Sequence, residues 1–248
     1  SSGSGSPYST GAPSFQPAMK PATHREKGGD VKTTAVIWPA AGEVEVRSHE
    51  LPEPGPGDLL LEAECTLISP GTERAWFLAM SNTTSVFPRQ TGYNFAGRVA
   101  AVGAEVDGFA VGDRVVSAAP HARHAVRAAA EVFPIPDGLA TEEGVFFFMG
   151  AIALQGVRRP GIELVHMKGN VVYGAHNSAR PESSRHGGWT LTDDALAVLQ
   201  LLRHGRLQVG HLVSHRFPAA QAADAYEGLK NRDPSMVGVL LDWGGGSI

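Results

Sequence analysis

The chain has 248 residues, 42% of them hydrophobic and 19% charged, with a formal net charge of −4. This is the profile of an ordinary globular protein, and basic residues are too few and too scattered for a nucleic-acid surface. No apolar run approaches the roughly 18–20 residues that span a bilayer; the best, Val145 to Leu154, is short and interrupted by Gly150.

One cysteine, Cys65, excludes an internal disulfide framework and a cysteine-rich zinc site. Its flanks alternate as in a strand, which predicts a buried structural thiol and a cytoplasmic protein. Residues 1–30 have the Ser, Gly and Pro content of a flexible linker, with no secretory signal expected, and residues 244–248 read as a tail.

From Thr33 to Val116 the pattern is short strands between Pro/Gly turns. Predicted strands are Ala35–Trp38, Val44–Val46, Leu59–Ile68, Gly97–Gly103 and Gly112–Val116, an arrangement that argues for a barrel or a strongly curved sheet. Thr141 offers an N-cap with acids in the first turn, opening one apolar helix through Val157. Asn170–Gly174 reads as a buried strand. Thr190 caps a helix whose Leu191, Ala195, Leu196, Val198, Leu199 and Leu202 form an apolar stripe, ending at His204 and Gly205. A second helix is expected over Pro218–Lys230 and a last strand over Val237–Trp243.

Several of these landmarks carry a family resemblance when taken in order. They are Pro54-Gly55-Pro56-Gly57-Asp58, Ser69-Pro70-Gly71-Thr72-Glu73, Gly92-Tyr93-Asn94-Phe95-Ala96-Gly97, Phe109-Ala110-Val111-Gly112-Asp113-Arg114-Val115, Ile135-Pro136-Asp137 and Ser214-His215-Arg216-Phe217-Pro218. Together they resemble the medium-chain dehydrogenase/reductase superfamily, the zinc-type alcohol dehydrogenases and their relatives. The Ser-Pro-Gly-Thr-Glu form is similar to the bacteriochlorophyllide dehydrogenase-like branch. The resemblance implies a GroES-like barrel built from both ends of the chain, with a Rossmann domain inserted between them. The expected class is accordingly α+β or mainly β: a GroES-like barrel with flanking helices and a remnant last strand and helix of a lost Rossmann domain. The segments are 31–164 for the first part of the barrel, 165–205 for the remnant and 206–243 for the return segment.

The cofactor domain has no room in this sequence. No G-x-G-x-x-G fingerprint occurs, and Gly55-Pro56-Gly57 lacks the third glycine and a following helix. One βαβ unit needs about 30 residues, more than lie between Val157 and Asn170. The resemblance also locates the family's zinc ligands, a Cys near Ser69 and a His-Glu pair at Tyr93 and Asn94. The neutral oxygens present there are poor zinc donors. Neither a cofactor nor a metal is therefore expected.

Candidate catalytic residues are Tyr93 as acid or hydrogen-bond donor, Glu73 as general base, and His121 and His176 as acid/base groups. Candidate substrate-binding residues are Ser69, Thr72, Asn94, His124, Asn177 and Arg180. His121 and His124, three apart, would meet on a helical turn; Glu73 would line the old cleft, or else pair with Arg74 at the surface. The 175–189 loop would fold over the barrel mouth. The resemblance further implies a homodimer through the Asn170–Gly174 strand, whose edge needs a partner. The expected function is a cofactor-independent non-redox enzyme of lyase, isomerase or cyclase type acting on a small molecule. A non-catalytic ligand-binding or scaffold protein, and an excised catalytic domain of an NAD(P)-dependent oxidoreductase, are the alternatives.

Overall fold

In the computed structural model the described residues are 31–81, 83, 85–158 and 189–244. They form a mixed α+β fold organised by one long strand. Strand β3 (Asp58–Ile68) pairs antiparallel with β5 (Phe95–Val102) along one edge. Its other edge is shared: β7 (His124–Ala128) takes the first half and β10 (Gly238–Asp242) takes the second. The sheet continues from β5 through β6 (Arg114–Ser117) to β8 (Val132–Pro134), and from β10 to the parallel β9 (Val213–Pro218).

A second, smaller sheet sets β1 (Val31–Trp38) between β2 (Glu45–Leu51) and β4 (Arg89–Gln90). A bridge between Ala35 and Ala122, with Val36 N–H donating to the His121 carbonyl at 2.9 Å, ties it to the large sheet. Strand pairing therefore runs on past the sheet's edges, as barrel closure requires.

The core lies on both faces of the large sheet, and β3 supplies both. Leu59, Leu61 and Ala63 pack into a barrel core with Trp38, Phe77, Phe95, Tyr226 and Trp243. Cys65 and Leu67, of the same parity, pack on the opposite face with Val116, Phe147 and Leu199. A register shift between Ala63 and Cys65 explains the change of side, since one extra residue reverses the alternation of every residue beyond it. Cys65 is buried, as its flanks predicted.

The outer cluster is roofed by α3 (Phe147–Arg158) and α4 (Leu191–Arg203). Gly150 lets them approach closely: a Cβ there would meet Val198 at 2.6 Å. The α4 start is as expected, with Thr190 and Asp193 forming a reciprocal capping box. Among the described residues no helix is long and apolar enough to cross a membrane.

Other expectations are revised. The helix predicted over Thr141–Val157 is two, a short α2 (Thr141–Gly144) followed by α3, and the N-cap is Ala140 rather than Thr141. Strand β2 runs well beyond the expected Val46. The last helix begins only at Ala222, giving α5 (Ala222–Lys230), after a 3-10 turn over Ala219–Gln221. An unanticipated helix, α1 (Pro70–Phe77), follows β3 directly. The strand expected over Asn170–Gly174, and with it the predicted dimer contact, lies outside the described residues.

Candidate functional site

Helix α1 starts where β3 ends, with Ser69 as N-cap and Pro70 in the first turn, where a missing N–H costs nothing. One turn later Glu73 points inward and is fully buried. Its Oε1 accepts from the Ser69 backbone N–H at 2.9 Å. Its Oε2 accepts from Thr91 Oγ1 at 3.1 Å and from the Tyr226 hydroxyl at 2.5 Å, and lies 3.0 Å from His121 Nε2.

Local backbone sets this convergence. Gly92 sits at φ +96°, and a Cβ there would lie 2.6 Å from both the ring and the backbone nitrogen of His121. That close approach lets His121 N–H reach the Thr91 carbonyl at 2.7 Å. Tyr226 enters from α5, its ring edge-on to Trp38 and tilted on Phe77, with centroids 5.4 and 5.2 Å away.

Burial pushes the Glu73 carboxyl toward its neutral form. The attraction and hydrogen bond of His121, with those of Tyr226 and Ser69, overcome it and hold the carboxyl below its usual value. Tyr226 goes the other way, its phenol raised well above the ordinary range by burial and by the Glu73 charge. The result is a sealed, ionised carboxylate tying together α1, the β4–β5 connection, the approach to β7, and α5.

This geometry revises the expected cleft. Glu73 neither lines an opening nor pairs with Arg74, whose Nε donates to the Leu229 carbonyl at 2.8 Å. His121, also fully buried, is a partner of Glu73 rather than of His124. The two histidines do not share a helical turn, because His124 opens β7 opposite Glu62. His124 is half-buried and held below its usual pKa, chiefly by burial and also by Arg123, against the pull of Glu62.

Asn94 is wholly buried and donates to the Leu67 carbonyl at 3.1 Å, bracing β5 against β3. Its Oδ1 has no acceptor role filled among the described residues.

Tyr93, Ser69 and Thr72 do come together. The Tyr93 ring packs against Trp76 and Phe148, with centroids 6.1 and 5.6 Å away. Burial and the Glu73 charge push its phenol up to about 12, although the Ser69 and Thr72 hydroxyls pull the other way. The group is a proton-bearing hydrogen-bond donor across the whole physiological range. Thr72 is exposed and Ser69 nearly buried, so the trio stands at the protein surface's inner margin. His176, Asn177 and Arg180 lie outside the described residues.

Residues 40–151 match the profile of the alcohol dehydrogenase GroES-like domain. The match runs from the β1–β2 turn to within α3, so the domain's sequence signature covers the barrel up to the roofing helices.

A trans-enoyl reductase of Aspergillus terreus is 29% identical over 128 residues, covering 46% of this chain and 42% of that protein. A zinc-type alcohol dehydrogenase-like protein of Schizosaccharomyces pombe is 31% identical over 131 residues, covering 46% of this chain and 38% of that one. The chain thus aligns with less than half the length of either relative. The fold is similar to that of 2R,3R-butanediol dehydrogenase from Bacillus subtilis, with a TM-score of 0.63 and 15% identity, covering 85% of this chain and 99% of that one.

The residues at the zinc positions of the resemblance are poor metal donors. Among the described residues no group of three His, Cys, Asp or Glu side chains is placed to hold a metal. At those positions Tyr93 keeps its proton to about pH 12, and Asn94 offers only a neutral amide oxygen, a weak zinc donor beside thiolate or imidazole. Among the described strands the one parallel pairing is β9 with β10.

Thr91 and Tyr226 were missed from sequence. Tyr226 reads there as one more member of the buried stripe of α5, with Ala222, Ala225 and Leu229. Nothing in its local pattern announces that its hydroxyl meets Glu73, 153 positions away.

Proposed function

We propose that this chain is a ligand-binding derivative of a medium-chain dehydrogenase, holding a small carbonyl compound at Tyr93, Ser69 and Thr72 without itself transferring hydride. The observation that carries this reading is that Glu73 and His121, the acid/base candidates among the described residues, are consumed by each other. A lyase, isomerase or cyclase built on this cleft needs a base that touches its ligand. Glu73 and His121 are both fully buried and bonded to each other, with Tyr226, Thr91 and Ser69 taking up the rest of the carboxylate.

What remains at the margin of the site is a donor set. A protonated phenol held by packed aromatic rings, its oxygen tied to the Ser69 and Thr72 hydroxyls, offers a fixed hydrogen bond to a carbonyl oxygen. The exposed neighbour Thr72 gives the ligand a path in.

Loss of the dinucleotide domain belongs to the same proposal. Residues 159–189 are all that separates α3 from the cap of α4. A doubly wound domain needs several βαβ units of about 30 residues or more each.

The test is calorimetric or NMR titration with a panel of ketones, aldehydes and enones, without nicotinamide. Saturable binding without turnover is expected, weakened about three- to tenfold by Tyr93→Phe, the worth of one hydrogen bond. Turnover without nicotinamide would replace this reading with the non-redox enzyme. Tight NADPH binding would replace it with an oxidoreductase.

A further inference from the structure

Most arginines of the described barrel have an oxygen partner. Arg47, Arg98 and Arg123 meet carboxylates at 2.6, 2.7 and 2.6 Å, and Arg216 is paired with Glu142. Arg74 and Arg114 donate to backbone carbonyls. Arg89, the first residue of β4, differs. Its guanidinium is clasped between two indoles, with Cζ 5.7 Å from the Trp38 ring centre and 5.0 Å from that of Trp76. Its Nε and Nη1 are buried and have no acceptor among the described residues.

Arg127 also leaves Nε without an acceptor, but it lies within the field of Glu131. The carboxylate that acts on Arg89 is Glu73, whose two oxygens are already taken by four other groups. Burial works against the Arg89 charge. A cation partly stripped of water and given only aromatic faces is under-compensated. An incoming anion would supply what the fold withholds, and the planar fork suits a carboxylate.

Trp76 links this cation to the site. Trp76 touches both groups: one contact is to Arg89, and the other is the edge packing on Tyr93. We infer that Arg89 is the anion anchor of the same cleft, so that the ligand is an oxo-carboxylate with its carbonyl on Tyr93 and its carboxylate on Arg89. This rests on the reading of Tyr93 given above and adds the substrate class to it.

The probes are levulinate and 5-oxohexanoate against their methyl esters, titrated calorimetrically into the whole chain. The acid is expected to bind about tenfold or more tighter than its ester, with the advantage shrinking as salt is raised. Arg89→Gln should erase the preference while leaving ester binding in place; Tyr93→Phe should weaken acid and ester alike. Equal binding of acid and ester by the unmodified chain, or a preference that survives Arg89→Gln, overturns the anchor. Acid binding that needs Arg89 but ignores Tyr93→Phe sinks the carbonyl assignment and leaves the anchor standing. If neither probe binds, both fail. Should Arg89→Gln not fold, Arg89→Lys keeps the charge but not the fork, and a retained tenfold preference there would refute the bidentate geometry.

Discussion

Glu73→Gln isolates the buried carboxylate with almost no change of shape. The native side chain collects one group at Oε1 and three at Oε2. An amide offers a single acceptor oxygen and an NH2 donor. With the oxygen toward Thr91, His121 and Tyr226, the NH2 faces the Ser69 N–H, and two donors meet. Reversed, the NH2 faces three groups that had an oxygen. Each buried donor left over costs about 1–3 kcal/mol. Removing one member of a buried charged cluster typically costs about 3–5 kcal/mol. We expect a loss of that order, against a total stability of about 5–15 kcal/mol. For a chain of this size it lowers Tm by about 6–20 °C.

Urea unfolding followed by circular dichroism reads the loss directly, the midpoint falling while the slope stays constant. The acid limb supplies an independent check. Because the folded carboxyl is held below the ordinary glutamate value, its stabilisation is fully present above that ordinary value. It is lost as pH falls through the folded value. Glu73→Gln should flatten this limb. A loss under about 1 kcal/mol, the size of a surface ion pair, with an unchanged acid limb, would refute the argument that the carboxylate is ionised and structurally committed.

Gly92→Ala places a methyl 2.6 Å from the His121 ring at a backbone φ of +96°. It should cost about 3 kcal/mol or more in the same unfolding assay, and a near-neutral result would refute the tight approach. The Cys65 thiol, pushed up to about 12 mainly by burial, should resist iodoacetamide at pH 8 until the chain unfolds; fast labelling of native protein would contradict its packing. Glu142→Ala breaks the half-exposed pair with Arg216. It should change stability by less than about 1 kcal/mol, and a drop above twice that would mean the pair braces α2 to β9.

Strands β1, β2, β3, β5, β6 and β10 could be read from the sequence because period-2 patterning and Pro/Gly turns are local signals, whereas β4, β7, β8 and β9 were not anticipated. Strand β3 was placed within one residue, and the α4 cap was read from Thr190 alone. The α2–α3 break was not legible. Val145 to Phe148 is apolar throughout, so periodicity carried no sign of a boundary there. Helix α1 was hidden by Pro70-Gly71, which reads as a turn although proline is well suited to a first helical turn.

The candidate site was legible as a set of residues but not as an arrangement. Tyr93, Ser69 and Thr72 were named and do assemble. Glu73 and His121 were named for their chemistry, and their real partner, Tyr226, was invisible because it arrives from the far end of the chain. A buried acid has no sequence signature of its own; only the donors that surround it distinguish it from a surface glutamate.

The shared edge of β3 has a consequence for the order in which this molecule can be made. Its first half is matched by β7, soon after it in sequence, but its second half waits for β10, with Ile68 opposite Val239. During synthesis from the N-terminus, the β10-facing edge of Cys65 to Ile68 must stay unpaired while some 170 further residues emerge, and loop closure of that length is slow. The nascent chain therefore carries an open, apolar strand edge until β10 has emerged. Chaperone engagement should concentrate there, and be released when β10 docks.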